Sequence, residues 1–162
     1  TQGGGMDQAA SLLSRSGMAL KIDFFPLRVT PAPLPRGYVF VVADTLVQAG
    51  GYTAGPVVKE PTAPAIKLES DNGLKNVRGT IGAARTSEPD SAQAQWYVNV
   101  GDNPGFDYVD ADQPGYAVFG KVTSGMETID AISAVETRSD PASGLADLPV
   151  TEILVLTATQ TR

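Results

Sequence analysis

The densest set of hard oxygen ligands in the chain is the run Asp102, Asp107, Asp110 and Asp112 with Asn103, a donor type that suits calcium. The spacing does not fit an EF-hand loop, which needs acidic or amide groups at alternate positions and a closing glutamate. The run therefore reads as a solvated acidic loop, and no metal or other cofactor is expected. Two-carboxylate glycosidase chemistry can be drawn from almost any acidic pair here and so distinguishes nothing. The sequence contains no histidine and no cysteine. A Ser-His-Asp triad, a Cys-His pair, a zinc site bearing histidine and a histidine general base are all excluded. What remains is chemistry done by carboxylates, by hydrogen-bond donors or by shape. One strand pattern carries such groups, where Gln95, Trp96 and Tyr97 alternate polar and aromatic character.

These residues need strands to position them, and the chain offers about eight. Residues 9–25 read as a hairpin turning near Ser16-Gly17, with Leu20, Ile22 and Phe24 alternating with Lys21 and Asp23. Prolines at 26, 31, 33 and 35 forbid a helix over 26–37, since each ring removes a donor and clashes with the preceding turn. Strands are expected at 38–42, 45–48, 65–68, 79–85, 94–100, 116–122 and 150–159, and loops at 50–64 and 139–149. One helix is expected over 126–135, with Met126, Ile129, Ile132 and Val135 along one side. Few helices and many short strands imply a barrel or sandwich, and closure is preferred because it removes sheet edges. Residues 1–8 are glycine-rich and expected to be mobile.

The 162 residues suit a single domain that buries a core without disulfides. The net charge of −6 repels phosphate backbones, so nucleic acid is not an expected partner. No apolar run approaches bilayer length, no heptads suggest association, and a monomer is the expected state. The chain opens at Thr1 without a basic-then-apolar leader, as a processed form would. The compartment, bacterial cytoplasm or periplasm, stays open.

The stretch from Asn72 to Asp130, NGLKNVRGTIGAARTSEPDSAQAQWYVNVGDNPGFDYVDADQPGYAVFGKVTSGMETID, resembles the cyclophilins. These are peptidyl-prolyl cis-trans isomerases built on a closed eight-stranded antiparallel β-barrel with one or two short helices. The resemblance implies a groove on the barrel's outer face that takes an extended, proline-containing polypeptide, with no cofactor. It places Leu46 and Gln48 on the family's hydrophobic-plus-glutamine segment, here TLVQAGG. Ala84, Arg85 and Thr86 match a MART-like segment whose backbone pairs with the substrate. Gln95 and Tyr97 match the next groove-facing pair, leaving Trp96 to point into the barrel. Phe106 matches a leucine of the pocket wall, and Tyr116 a position held by histidine or tyrosine. Gln48, Gln95 and Tyr97 take the catalytic roles by resemblance.

Counting back from Gln48 without gaps, Phe40 occupies the position of the family's arginine and Val39 the one before it. Neither side chain can donate a hydrogen bond. Arg36 lies four residues earlier, in a loop. Loss of one preorganised donor costs about 10²–10³ in rate, so weak catalysis is expected. Segment 26–37 is also too short and too rich in proline for the helix the family carries before this strand. Three readings follow: an isomerase acting on X-Pro bonds, a non-catalytic module that binds proline peptides, and a relic whose amino-terminal third blocks the groove.

Overall fold

The computed structural model describes residues 21–24, as backbone, and 38–159. In chain order the strands are β1 (Lys21–Phe24), β2 (Tyr38–Val39), β3 (Val41–Ala43), β4 (Leu46–Ala49), β5 (Tyr52–Thr53) and β6 (Val57–Val58). Then follow β7 (Thr80–Ala83), β8 (Trp96–Asn99), β9 (Val118–Ser124), the helix α1 (Met126–Ser133), β10 (Thr137–Asp140), β11 (Leu145–Pro149) and β12 (Leu154–Val155). The fold is mostly β with one α-helix.

Strands β1-β9-β7-β8-β4-β3 form a six-stranded antiparallel sheet, in that order. The apolar run of the central strands explains its stability: Val47, Ile81 and Val98 are buried on one face, directly opposite one another along the ladder. Helix α1 caps that face. Ile129 and Ile132 are buried within the same cluster, and Met126 and Val135 pack against it, so the expected apolar stripe is the one used. Arg78 staples the far end. It donates to both carboxylate oxygens of Asp130 at 2.8 and 2.7 Å and to the Val100 carbonyl at 2.6 Å.

The strands of the described residues are divided among three sheets rather than joined in one continuous ladder. The reason lies at two bends. Between β2 and β3 the ladder breaks at Phe40, whose N–H donates to the Ile153 carbonyl at 3.2 Å. Between β4 and β5 the chain turns through Gly50 at φ +94°. The hairpin thus leaves the main sheet, and its outer ends join β12 and β6 in a four-stranded sheet ordered β12-β2-β5-β6.

Other expectations shift locally. The strand expected at 65–68 is a single bridge between Ile66 and Ala92. The loop expected at 139–149 is instead the hairpin β10–β11, closed by Asp140, whose carboxylate accepts from the Ser143 N–H at 3.0 Å and hydroxyl at 2.5 Å. Loop 50–64 contains the short hairpin β5–β6, and only Leu154–Val155 of the closing strand is paired. The expectations for residues 1–8, for most of the 9–25 hairpin, for the proline-rich segment and for Arg36 lie outside the described residues. No helix among the described residues is long and apolar enough to cross a membrane.

Candidate active site

On the sheet face away from α1, Gln48 of β4 stands opposite Tyr97 of β8, and Tyr97 opposite Gly82 of β7. Opposed residues of antiparallel strands share a face, so an amide, a phenol ring and a gap follow one another across three strands. Leu46, two residues before Gln48, joins the same face. Gly82 makes the arrangement possible: a Cβ there would fall on Cζ and the hydroxyl of Tyr97. A glycine inside a strand often marks such a close approach, and this was the one signal available in GTIGAA.

Three rings form the apolar wall. Tyr97 meets Phe106 at 5.9 Å between centroids and Tyr116 at 6.1 Å, both edge-on, and Phe106 meets Tyr116 at 5.0 Å. These separations fall in the favourable range for aromatic pairs. Phe106 ends a 3-10 turn at Pro104–Phe106. Tyr116 is set by Gly115, at φ +60°, where a Cβ would lie 2.5 Å from the Phe106 carbonyl oxygen. Only glycine accepts that close a backbone with that φ.

Arg85 closes the wall from above. Its Cζ lies 4.6 Å from the Tyr116 ring centroid, within cation–π range. Its Nε and Nη2 donate to the Gly115 carbonyl at 3.0 and 2.7 Å, and its Nη1 to the Thr86 carbonyl at 2.8 Å. Arg85 is thus tied into the protein through its side chain.

At the polar end, Nε2 of Gln48 donates to Oε1 of Gln95 at 2.7 Å, and the two amides act as one unit. The N–H of Ala84 donates to the Gln95 carbonyl and that of Thr86 to Oγ of Ser91, both at 3.0 Å.

Together these residues surround a cavity of about 270 Å³. Leu46, Gln48, Ala84, Arg85, Thr86, Gln95, Tyr97, Phe106 and Tyr116 all line it, beside Lys59, Ser91 and Gln93, which the sequence reading missed. Phe40 is the exception and a correction. It is 3% exposed, packs with Val42 and Val47 in the core and meets Trp96 edge-on at 6.2 Å. Side chains alternate along a strand, and it is Val41 that opposes Gln48. Counting residues placed Phe40 at the groove; the ladder turns it inward. Trp96 packs against the core, as expected.

Burial pushes the Tyr97 hydroxyl well above the usual phenol value, with Tyr116 and Asp107 adding to the shift and Arg85 opposing it. Its proton stays on and is given to Oδ1 of Asn76 at 2.6 Å. No group of three or more acidic side chains among the described residues is arranged as metal ligands.

The chain is 50% identical over 106 residues to peptidyl-prolyl cis-trans isomerase A of Dickeya dadantii, covering 64% of this chain and 55% of that protein. It is 41% identical over 120 residues to isomerase cyp18 of Streptomyces antibioticus, covering 73% of this chain and 70% of that one. Against isomerase B of Escherichia coli it is 38% identical over 122 residues, 74% and 72% of the two chains. The chain therefore spans little more than half the length of the Dickeya relative. Its fold matches a crystal structure of a Cryptosporidium parvum cyclophilin type isomerase in the presence of the dipeptide Ala-Pro. That match has a TM-score of 0.66 and 16% identity and covers 96% of this chain and 99% of the other. The family profile described as cyclophilin type peptidyl-prolyl cis-trans isomerase/CLD matches residues 38–159, and with the rings of Tyr97, Phe106 and Tyr116 beside the Gln48–Gln95 amides, this chain belongs to that family.

Proposed function

We propose that this protein is a peptidyl-prolyl cis-trans isomerase that acts on X-Pro bonds in flexible or unfolded polypeptide, without cofactor. The observation that carries the reading is the junction of two unlike surfaces in one small cavity, an aromatic wall and an amide pair. Amide resonance opposes rotation by about 18–20 kcal/mol, and uncatalysed X-Pro exchange takes tens to hundreds of seconds. An enzyme lowers that barrier by holding one side of the bond while bonding to the nitrogen as it pyramidalises. Here Tyr97, Phe106 and Tyr116, with Leu46, hold the prolyl ring. The Gln48–Gln95 unit supplies N–H donors to the imide region or the adjoining carbonyl.

The peptide lies along residues 84–86. Ala84 spends its N–H on Gln95, so the N–H and C=O of Arg85 point the other way along the strand and pair with substrate. The Ala-Pro dipeptide named with the Cryptosporidium relative supports a proline-containing ligand. Donors from β3 are lacking, since Val41 occupies the groove face, and turnover is expected to be slow. We also read residues 1–162 as a monomeric single domain in which the margins β1 and β3 meet across the smaller sheets to close an eight-stranded barrel.

The test is a proline-limited refolding or chromogenic X-Pro peptide assay at micromolar protein. A rate above background that falls when Gln95 is replaced supports the reading. A rate equal to background excludes catalysis, and Ala-Pro binding without turnover then identifies a peptide-binding module.

A further inference from the structure

The three rings of the wall lie 21, 30 and 40 residues beyond Asn76 in the chain, yet one side-chain amide bonds the hydroxyl of the first and the backbone carbonyls that carry the other two. Asn76 is 1% exposed. Its Oδ1 accepts from the Tyr97 hydroxyl at 2.6 Å, and its Nδ2 donates to the carbonyls of Phe106 at 3.0 Å and Tyr116 at 3.3 Å. Its backbone N–H donates to Oδ1 of Asp107 at 2.7 Å, which fixes the loop from the other side. The amide is itself braced. Asn99, fully buried on β8, donates to Asn76 Oδ1 at 3.3 Å and to the Thr80 hydroxyl at 2.8 Å, while its own Oδ1 accepts from Asn103 at 2.7 Å. A buried amide that satisfies partners on three separate segments can take only one orientation, and partly satisfied networks of this kind are costly.

We infer that Asn76 is the positioning residue of the prolyl pocket: its carboxamide sets the spacing and tilt of the Tyr97, Phe106 and Tyr116 rings without touching substrate. Its kinetic consequence rests on the isomerase reading; the ordering of the rings does not. Without the amide, the Tyr97 ring loses its tether and the loops bearing Phe106 and Tyr116 lose their common anchor. Displacement of a binding wall by about 1 Å costs on the order of 10²-fold in rate.

The experiment compares Asn76→Ala, Tyr97→Phe and the double variant, with Ile132→Ala, a core truncation beneath α1, as a control of similar urea midpoint. Asn76→Ala is expected to lower kcat/KM on an Ala-Pro chromogenic peptide roughly 10²-fold, and Tyr97→Phe, which removes one arm, roughly tenfold. The double variant falls no further than Asn76→Ala, because both act through one device. Ile132→Ala leaves kcat/KM unchanged. Aromatic NMR supplies a readout independent of activity: Phe106 and Tyr116 resonances move or broaden in Asn76→Ala but not in Ile132→Ala. If Asn76→Ala does not fold, Asn76→Asp replaces it. That variant keeps the acceptor for Tyr97 and loses the side-chain donations to Phe106, Tyr116 and Asp107, so Phe106 and Tyr116 shift while Tyr97 does not. Multiplying effects in the double variant, or unchanged Phe106 and Tyr116 resonances, overturn the inference. If the wild type neither turns over nor binds Ala-Pro, the isomerase reading falls, and the ring resonances alone decide the role of Asn76.

Discussion

The two flanks of the groove are built by opposite means. On the β7–β8 flank, Tyr97 is 2% exposed and tethered through its hydroxyl, the backbones bearing Phe106 and Tyr116 are bonded to Asn76, and Arg85 stacks on Tyr116. On the β3–β4 flank, half-buried Val41, Ala43 and Leu46 face the same side as Gln48, whose amide reaches across to that of Gln95. Gripping a prolyl ring needs shape, which the first flank over-determines. Easing rotation needs a donor aimed at nitrogen, and on the second flank Gln48 presents a neutral amide. A chain of this form should bind better than it turns over.

The sharpest way to break that contrast is to add a cation at positions 40 and 41, at the start of β3. Phe40→Arg buries a guanidinium in the core and should destabilise the fold by about 3–5 kcal/mol, the cost of an uncompensated buried charge; urea denaturation measures it. Val41→Arg puts the same group on the groove face opposite Gln48 and should keep the stability while raising kcat about tenfold or more. Equal effects from the two would show that the ladder register is wrong.

Next in size is Gln95→Ala, which removes half of the amide unit. It should lower kcat on the order of 10²-fold while Ala-Pro affinity by titration changes little. On the other flank, Arg85→Ala removes the stack on Tyr116 and the bonds to the Gly115 carbonyl. Peptide affinity should fall about tenfold, with kcat on bound peptide retained.

The smallest effect is expected from Asp130→Asn, remote from both flanks. Hydrogen bonds from Arg78, more than its charge alone, hold the Asp130 carboxyl below the ordinary value of 3.8. A depressed carboxyl stabilises the fold above its unfolded value, and the contribution is lost as pH falls through the folded one. The variant should therefore match the wild type in activity and show a shallower loss of thermal stability below about pH 4.

Much of the β7–β8 flank was legible in the sequence, and little of its mechanism of support. Alternation in Gln95, Trp96 and Tyr97 and the apolar stripe of α1 follow from local periodicity, and both are present. Phe40 was misplaced because counting residues cannot reveal where a chain changes sheets and which way the strand then faces. The β10–β11 hairpin was hidden because its turn is closed by Asp140 and Ser143 side chains in a stretch that otherwise reads as loop. Asn76 carried no local signal, since its partners are distant in the chain. Asn99 did: an amide inside the apolar run YVNV runs against strand preference and marks a buried polar junction.

The span of the Asn76 contacts has a consequence for dissection of the protein. A fragment ending before Tyr116 would retain β7, β8 and the tyrosine tether yet lack one wall, and a fragment beginning after Asn76 would keep every ring and no clasp. Neither half should recognise proline alone. Mixing the two should restore recognition only as they associate, so that ligand capture becomes a direct gauge of reassembly.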